Sequence, residues 1–281
     1  MLISILAAAV SSGTPILFAA LGELVGQSAG VMNLGVEGMM LVGAVSGFLT
    51  SVRTGNLLLG VAAALLAGGL LGLLHAFMCI TLRVNQVVSG LALTLFGTGV
   101  SGYLGKSVIG VPLPHHFTAV HLPLLTDIPI IGPVLFNHDW LVYSSFLLVP
   151  ALWYLFYRTR PGLHLRAVGE SPQTADALGV NVFRIRYVSV VVGGMLAGLG
   201  GAYLSLAYAP SWIENMTAGR GWIAVALVIF AVWNPARALA GAYLFGGVDA
   251  MGFRIQAMGI RVPSFFLKMM PYVFTVVVLI L

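Results

Sequence analysis

Charge is what this sequence has least of. Asp, Glu, Lys and Arg make up 7% of its 281 residues, against about one quarter in a soluble domain. With 59% hydrophobic residues and a mean hydropathy of +1.03, the chain is built for lipid rather than water. Cysteine is nearly missing too. Cys79 stands alone in an apolar run, which excludes a disulfide framework. Strand-length alternating segments are lacking, so a membrane barrel is not expected. No polar linker divides the chain, so residues 1–281 read as one membrane domain, not the two soluble domains that length suggests. No basic region precedes the first apolar stretch, and a cleaved signal peptide is not expected. Gly105-Lys106-Ser107 ends like a P-loop, but Val100 stands where its first glycine belongs and no strand precedes it. No nucleotide, metal or other cofactor is therefore expected in this chain. A membrane enzyme is not expected either, because no nucleophile or metal constellation gathers on one face. The histidines His115, His116, His121 and His138 read as parts of an ordinary polar loop.

What is present is a series of apolar runs, several reaching the ~18 residues that cross a bilayer as a helix. Helices satisfy their own backbone in lipid, so the fold class is an all-α polytopic membrane protein. Spans are expected near 2–22, 57–82, 86–105, 140–157, 188–208 and 264–281. Pro15 should kink the first. Residues 22–44 carry Glu23, Gln27, Asn33 and Glu37 among glycines at membrane depth. Unwound backbone there is tolerated only in protein or along a cavity, and broken helices often mark transport sites. Residues 222–233 give about 18 Å of helix, short of a full crossing. With the short run 238–252 they suggest half-helices or a re-entrant pair. The whole amounts to about eight to ten helices of membrane length, some broken or re-entrant.

Orientation follows from the basic residues. The segment 158–187 holds five of the thirteen Lys and Arg, namely Arg158, Arg160, Arg166, Arg184 and Arg186. The loop 107–139 holds none. The positive-inside rule makes the first cytoplasmic and the second external. The basic pI of about 9.6 is explained by the same bias and does not point to nucleic acid. Helix parity then puts the N-terminus outside, unless residues 22–36 form an extra crossing.

Polar residues in the spans are the candidate path: Asn33, Glu37, Asn85, Ser89, Thr94 and Asp249. Intramembrane ionisable groups are costly and often functional. An alternative has Glu23 and Glu37 pinning helix ends, and Asp249 pairing with Arg254. Trp212, Glu214, Asn215 and Arg220 form an external patch that could receive a binding protein. Inside 158–187, Ser171 suits a helix cap, Pro172 the first helical position and Gly179 the left-handed residue after the end. So short a helix needs something to pack on. Its small apolar face of Ala175, Ala177 and Leu178 suits a groove on a partner.

These residues carry a resemblance. Arg166-Ala167-Val168-Gly169-Glu170, then Pro172, Ala175 and Gly179-Val180-Asn181-Val182, resembles the cytoplasmic coupling motif of ABC importer permeases serving branched-chain amino acids, ribose-type sugars and nucleosides. Residues 28–44, SAGVMNLGVEGMMLVGA, are similar to that family's N-terminal block. Glu37-Gly38-Met39-Met40 and residues 219–247 look most like its nucleoside and simple-sugar branch. The sequence departs from the motif at Ser171, where the family has Asn, and at Thr174-Ala175, where it has two alanines. The resemblance implies a type II ABC importer permease in a bacterial inner membrane. Arg166, Gly169, Glu170, Ser171, Pro172, Ala175, Asp176, Leu178 and Gly179 would couple it to cytoplasmic ATPase subunits, which bind the ATP and Mg. A second permease subunit, identical or not, and an external solute-binding protein complete the expected partners. Nucleosides are the first expected solute, with sugars or branched-chain amino acids second. The reading from a different class is a stand-alone secondary transporter or channel, with ion dependence at Glu37 or Asp249.

Overall fold

The computed structural model describes residues 2–121, 125–126, 128–129 and 131–258, and beyond these 263, 266, 269–270, 272–273 and 276. Its helices are α1 (Leu2–Ser28), α2 (Val36–Thr54), α3 (Leu57–Ala76), α4 (Gln86–Gly105), α5 (Ile131–Leu135), α6 (Trp140–Arg158), α7 (Arg160–Glu170), α8 (Pro172–Ala177), α9 (Val182–Tyr203), α10 (Arg220–Phe230) and α11 (Pro235–Ala257). Single π turns, Phe77–Thr81 and Leu204–Tyr208, prolong α3 and α9. Local sequence sets the starts. Asn56, Asn85, Asp139, Asn181 and Asn234 each accept backbone N–H groups at the head of a helix. The sole sheet among the described residues pairs β1 (Val120–His121) antiparallel with β2 (Asn137–His138).

Five described segments are long and apolar enough to cross a membrane: Ile3–Ser28, Leu57–Thr81, Gln86–Val108, Trp140–Arg158 and Val182–Tyr208. Pro15 lies inside α1 without ending it. Two expectations are corrected. Residues 238–252 are not a half-helix but part of α11, whose 23 residues span about 35 Å. Of the two runs expected to be short, α10, at 11 residues, is too short to cross. Residues 160–170, expected as loop, form α7 because Thr159 accepts from Gly162 N and Pro161 fits the first turn. The final span expected at 264–281 lies mostly outside the described residues.

Helix α9 is the hub and packs against α1, α2 and α3. With no hydrophobic drive between helices in lipid, such packing rests on close van der Waals contact between small residues. Gly198 meets the Ala64 carbonyl and Gly68 of α3, while Gly43 of α2 rests on Gly198. A Cβ at Gly201 would land on the Met40 carbonyl. Gly201→Ala should therefore destabilise the chain by about 1–3 kcal/mol through overpacking. Gly99→Ala in α4, which opens onto free space, should be neutral. Thermal unfolding in detergent compares the two, and equal midpoints would refute the close-packing account.

The contacts also order the two ends. Residues 29–31, α7 and α8 meet at the arginine-rich end, where Arg186 Nε donates to the Ala29 carbonyl at 3.2 Å. The far end holds β1, β2 and the start of α1, where Ser11 meets His138.

Candidate functional site

Between α1 and α2 the backbone leaves the helix for residues 29–35, with Gly30 at φ +79°. Its polar groups are met one by one. Glu23 accepts from Asn33 N at 2.9 Å and from Gln27 Nε2 at 2.9 Å. Asn33 Oδ1 accepts from Gly35 N at 2.8 Å. Met32 N donates to Gln86 Oε1 at 2.8 Å, and Thr94 Oγ1 donates to the Leu34 carbonyl at 2.9 Å. The His75 ring donates from Nε2 to the Met32 carbonyl at 3.1 Å and accepts from Ser89 Oγ at 2.9 Å. Of the expected path residues, Asn33, Ser89 and Thr94 thus hold this break together, and Asn85 caps α4. His75 was missed. Its signal was a lone histidine within an otherwise apolar run.

Glu37 has a different task. Its carboxylate accepts from Thr217 Oγ1 at 2.6 Å, Gly219 N at 2.8 Å and Gly221 N at 2.6 Å. The two backbone N–H groups are donors at the head of α10, where a helix dipole also favours negative charge. Glu37 is 7% exposed, so one buried carboxylate from α2 supplies the cap that α10 lacks locally. Beside it, Arg220 Nη2 pairs with Asp249 Oδ2 at 2.7 Å, and Ser12 Oγ donates to the same oxygen at 2.8 Å. Arg220 also donates to the Met216 and Thr217 carbonyls and lies 5.8 Å over the Tyr208 ring. Asp249 therefore pairs with Arg220, not with Arg254, which bonds Ser4. The cluster ties α1, α2, α10 and α11 together.

The expected external patch divides. Trp212 is 1% exposed and packs on Gly105, and Arg220 is buried in its ion pair. Arg220 turns inward to its partner Asp249, and Trp212 because its ring packs on Gly105, although its Nε1 finds no hydrogen-bond partner there. Glu214 and Asn215 remain exposed. Nearby, a cavity of about 510 Å³ lies between α1, α11 and the 117–139 segment, with Ser11, Phe117, His138, Asp139, Tyr203 and Tyr208 in its wall.

The His138 ring donates from Nε2 to the Val134 carbonyl at 2.8 Å and meets Ser11 Oγ at 3.3 Å. Burial holds this ring below its usual 6.5, against the opposing pull of the Val134 carbonyl and Asp139. Stability from the neutral ring is complete above 6.5 and is lost as pH falls through the lowered value. Asp139 has the opposite sign, since burial raises it above its usual 3.8. Its contribution is present below 3.8 and is lost as pH rises through the raised value. Thermal unfolding of the wild type should thus weaken as pH falls below about 6.5, the ordinary histidine value, and His138→Gln should flatten that slope. Parallel slopes would show that His138 does not carry it. Among the described residues no group of His, Cys, Asp or Glu could hold a metal ion.

At the arginine-rich end, Pro172 opens α8 and Gly179, at φ +79°, closes it. Ser171 sits at the cap position, but its hydroxyl meets Thr174 Oγ1 at 2.7 Å instead of a backbone N–H. Ala175 is 3% exposed and packs inside the chain, whereas Leu178 is 79% exposed. Glu170 and Asp176 face outward. Arg166 turns toward α6 and lies over Tyr157. Gly169 packs directly on the Ser28 carbonyl and Gly30, so α7 presses on the α1–α2 break. Gly26-Gln27-Ser28-Ala29-Gly30 also spells the G-x-S-x-G of serine hydrolases, a match that the reading of the sequence overlooked. It closes a helix instead of joining strand to helix, so it is no nucleophile elbow.

A bundle of apolar helices, a broken helix locked by buried carboxylates and a short basic-end helix abutting the break together define a membrane permease. The chain belongs to the branched-chain amino acid transport system / permease component family, whose pattern matches residues 5–281. It is 46% identical over 265 residues to TsgC13 of Haloferax volcanii, named as a candidate glucose ABC transporter permease protein, across 91% of this chain and 79% of that one. It is 35% identical to the nucleoside ABC transporter permease protein NupC of Lactococcus lactis subsp. cremoris, across 95% and 88% of the two chains. It is 32% identical to the guanosine ABC transporter permease protein NupQ of Bacillus subtilis, across 94% and 87%. Among solved structures, an inward-facing metal-chelate type ABC transporter matches the fold with a TM-score of 0.52 at 16% identity, over 99% of this chain and 85% of that one.

Proposed function

We propose that this chain is the translocation subunit of an ATP-driven importer for nucleosides, seated in a cell inner membrane with residues 158–187 cytoplasmic and 107–139 external. Two cytoplasmic ATPase subunits would grip α8 through its exposed residues, with Asp176, Leu178 and Gly179 foremost. A second permease chain would complete the path, and an external binding protein would dock near Glu214 and Asn215. The observation that carries this reading is the junction of Gly169 with Ser28 and Gly30. It joins the ATPase-facing segment to the broken helix through backbone contact, so a push on α8 reaches the Glu23–Asn33 and Glu37–α10 locks without a flexible intermediary. The relatives named for nucleoside and guanosine transport support the solute. A sugar is the second reading, favoured by the 46% identity to TsgC13. The test is uptake by the reconstituted chain with its ATPase and binding-protein partners. ATP-dependent guanosine uptake is expected. Uptake of glucose but not guanosine would move the solute to sugars, and transport by the chain alone without ATP would overturn the importer reading.

A further inference from the structure

The basic end of α6 carries a ladder of rings and cations that the transport reading does not use. The Arg158 guanidinium lies 5.9 Å from the Trp153 ring centroid, the Trp153 and Tyr157 rings are 5.7 Å apart, and Arg166, reaching over from α7, lies 5.2 Å from the Tyr157 centroid. Trp153 and Tyr157 are one helical turn apart and share a face. Neither cation has a carboxylate within ion-pair distance, since Arg220–Asp249 is the one ion pair among the described residues. Arg166 Nε is buried without a partner there. Arg160 is exposed beside them, and the nearest acid on α7, Glu170, faces outward. Beside the ladder the outer face of α6 is open and apolar, with Leu147 and Tyr154 exposed.

These features point to one ligand. Trp and Tyr at the end of an apolar span sit at headgroup depth. Arginine stacked on an aromatic ring is held flat with its N–H edge free, and that edge fits two phosphate oxygens. Basic residues at this level attract anionic headgroups. We propose that Arg158 and Arg166 form a binding site for an anionic phospholipid, the phosphate held between the guanidiniums and the acyl chains lying along Leu147 and Tyr154. Charge complementarity selects lipid over a partner protein here, because the apolar strip leads away from the basic end along a membrane-length helix.

The full chain, purified with its partner subunits in a neutral detergent and stripped of lipid, is titrated with phosphatidylglycerol and read by native mass spectrometry. Wild type is expected to retain phosphatidylglycerol and not phosphatidylcholine. Arg158→Gln should lower retention by about five-fold, and Arg166→Gln likewise. Arg254→Gln, at the far end on Ser4, should change nothing. Arg166 is half-buried, so if its variant unfolds, the exposed Arg158 carries the test alone, with an unchanged thermal midpoint as its control. Equal retention by Arg158→Gln and wild type overturns the proposal, as does equal binding of phosphatidylcholine. Displacement of the lipid by millimolar inorganic phosphate would make this a free-anion site instead. Loss of an ATPase subunit from Arg158→Gln with lipid retention unchanged would make it a protein contact.

Discussion

Glu37→Ala should cost the chain about 3–5 kcal/mol, the range for removing one partner of a buried, hydrogen-bonded charge. The substitution deletes three short hydrogen bonds at once and leaves Thr217 Oγ1, Gly219 N and Gly221 N without their acceptor. In lipid there is no water to replace it. It also uncovers the positive end of α10, a helix held at its head by nothing from its own sequence, since Gly219 provides no side-chain cap. Glu37→Gln should be milder, at about 1–3 kcal/mol. Its amide oxygen can still serve one side of the site, but its NH2 group then confronts a backbone N–H on the other. The measurement is thermal unfolding in detergent, paired with ATP-driven uptake in vesicles. The expected order is wild type, then Gln, then Ala, with uptake falling in the same order. An alanine variant as stable as wild type would mean that the head of α10 finds another acceptor.

The second large effect separates two neighbours on the proposed ATPase-facing segment. Leu178→Asp should cut the recovery of a co-purifying ATPase by roughly ten-fold or more, in the manner of an interface anchor, with no change in thermal midpoint. Leu178 is almost wholly exposed, so the folded chain loses nothing by the change. Ala175→Arg should behave in the opposite way. The reading of the sequence set Ala175 on a partner-facing side, but it is buried where α8 packs on its own chain. A guanidinium there overfills the site and buries a charge, at a cost of at least about 2 kcal/mol. Loss of the ATPase in both variants without any loss of stability would put Ala175 back on the docking face. Full ATPase recovery by Leu178→Asp would remove α8 from the coupling role.

Much of this fold is legible in the sequence for a plain reason. Lipid leaves the backbone one economical answer, so apolar run length alone locates α4, α6 and the segment Leu57–Thr81, which is α3 with its π turn, to within a residue or two. The Asn-capped starts at Asn85 and Asn234 are equally local signals. What is not legible is tertiary. Asn234-Pro235-Ala236-Arg237 and the polar residues from 253 cut the run to 238–252 on paper, yet α11 extends from Pro235 to Ala257, with Gly241 packed under Leu227 and Asp249 paired with Arg220. Arg220 looks external by position, and only its partner on α11 shows that it turns inward. Glu37 could be seen as a polar residue out of place. That it caps a helix far along the chain could not, because no local pattern encodes such a distance.

That distance has a consequence for how the chain is made. Glu37 and its first donor, Thr217, are 180 residues apart. At about 5–20 residues per second the ribosome needs about 9–36 s to cover such a gap. During that interval α2 waits with an unpartnered carboxylate, a group that a membrane segment tolerates poorly. The nascent N-terminal helices therefore remain unfinished until α10 emerges, and closure of the Glu37 contact marks the moment when the two halves of the chain can no longer be parted cheaply. A chain stalled before residue 217 would present a membrane protease with an intact set of early helices and one exposed acid, a ready mark of incompleteness for quality control to read.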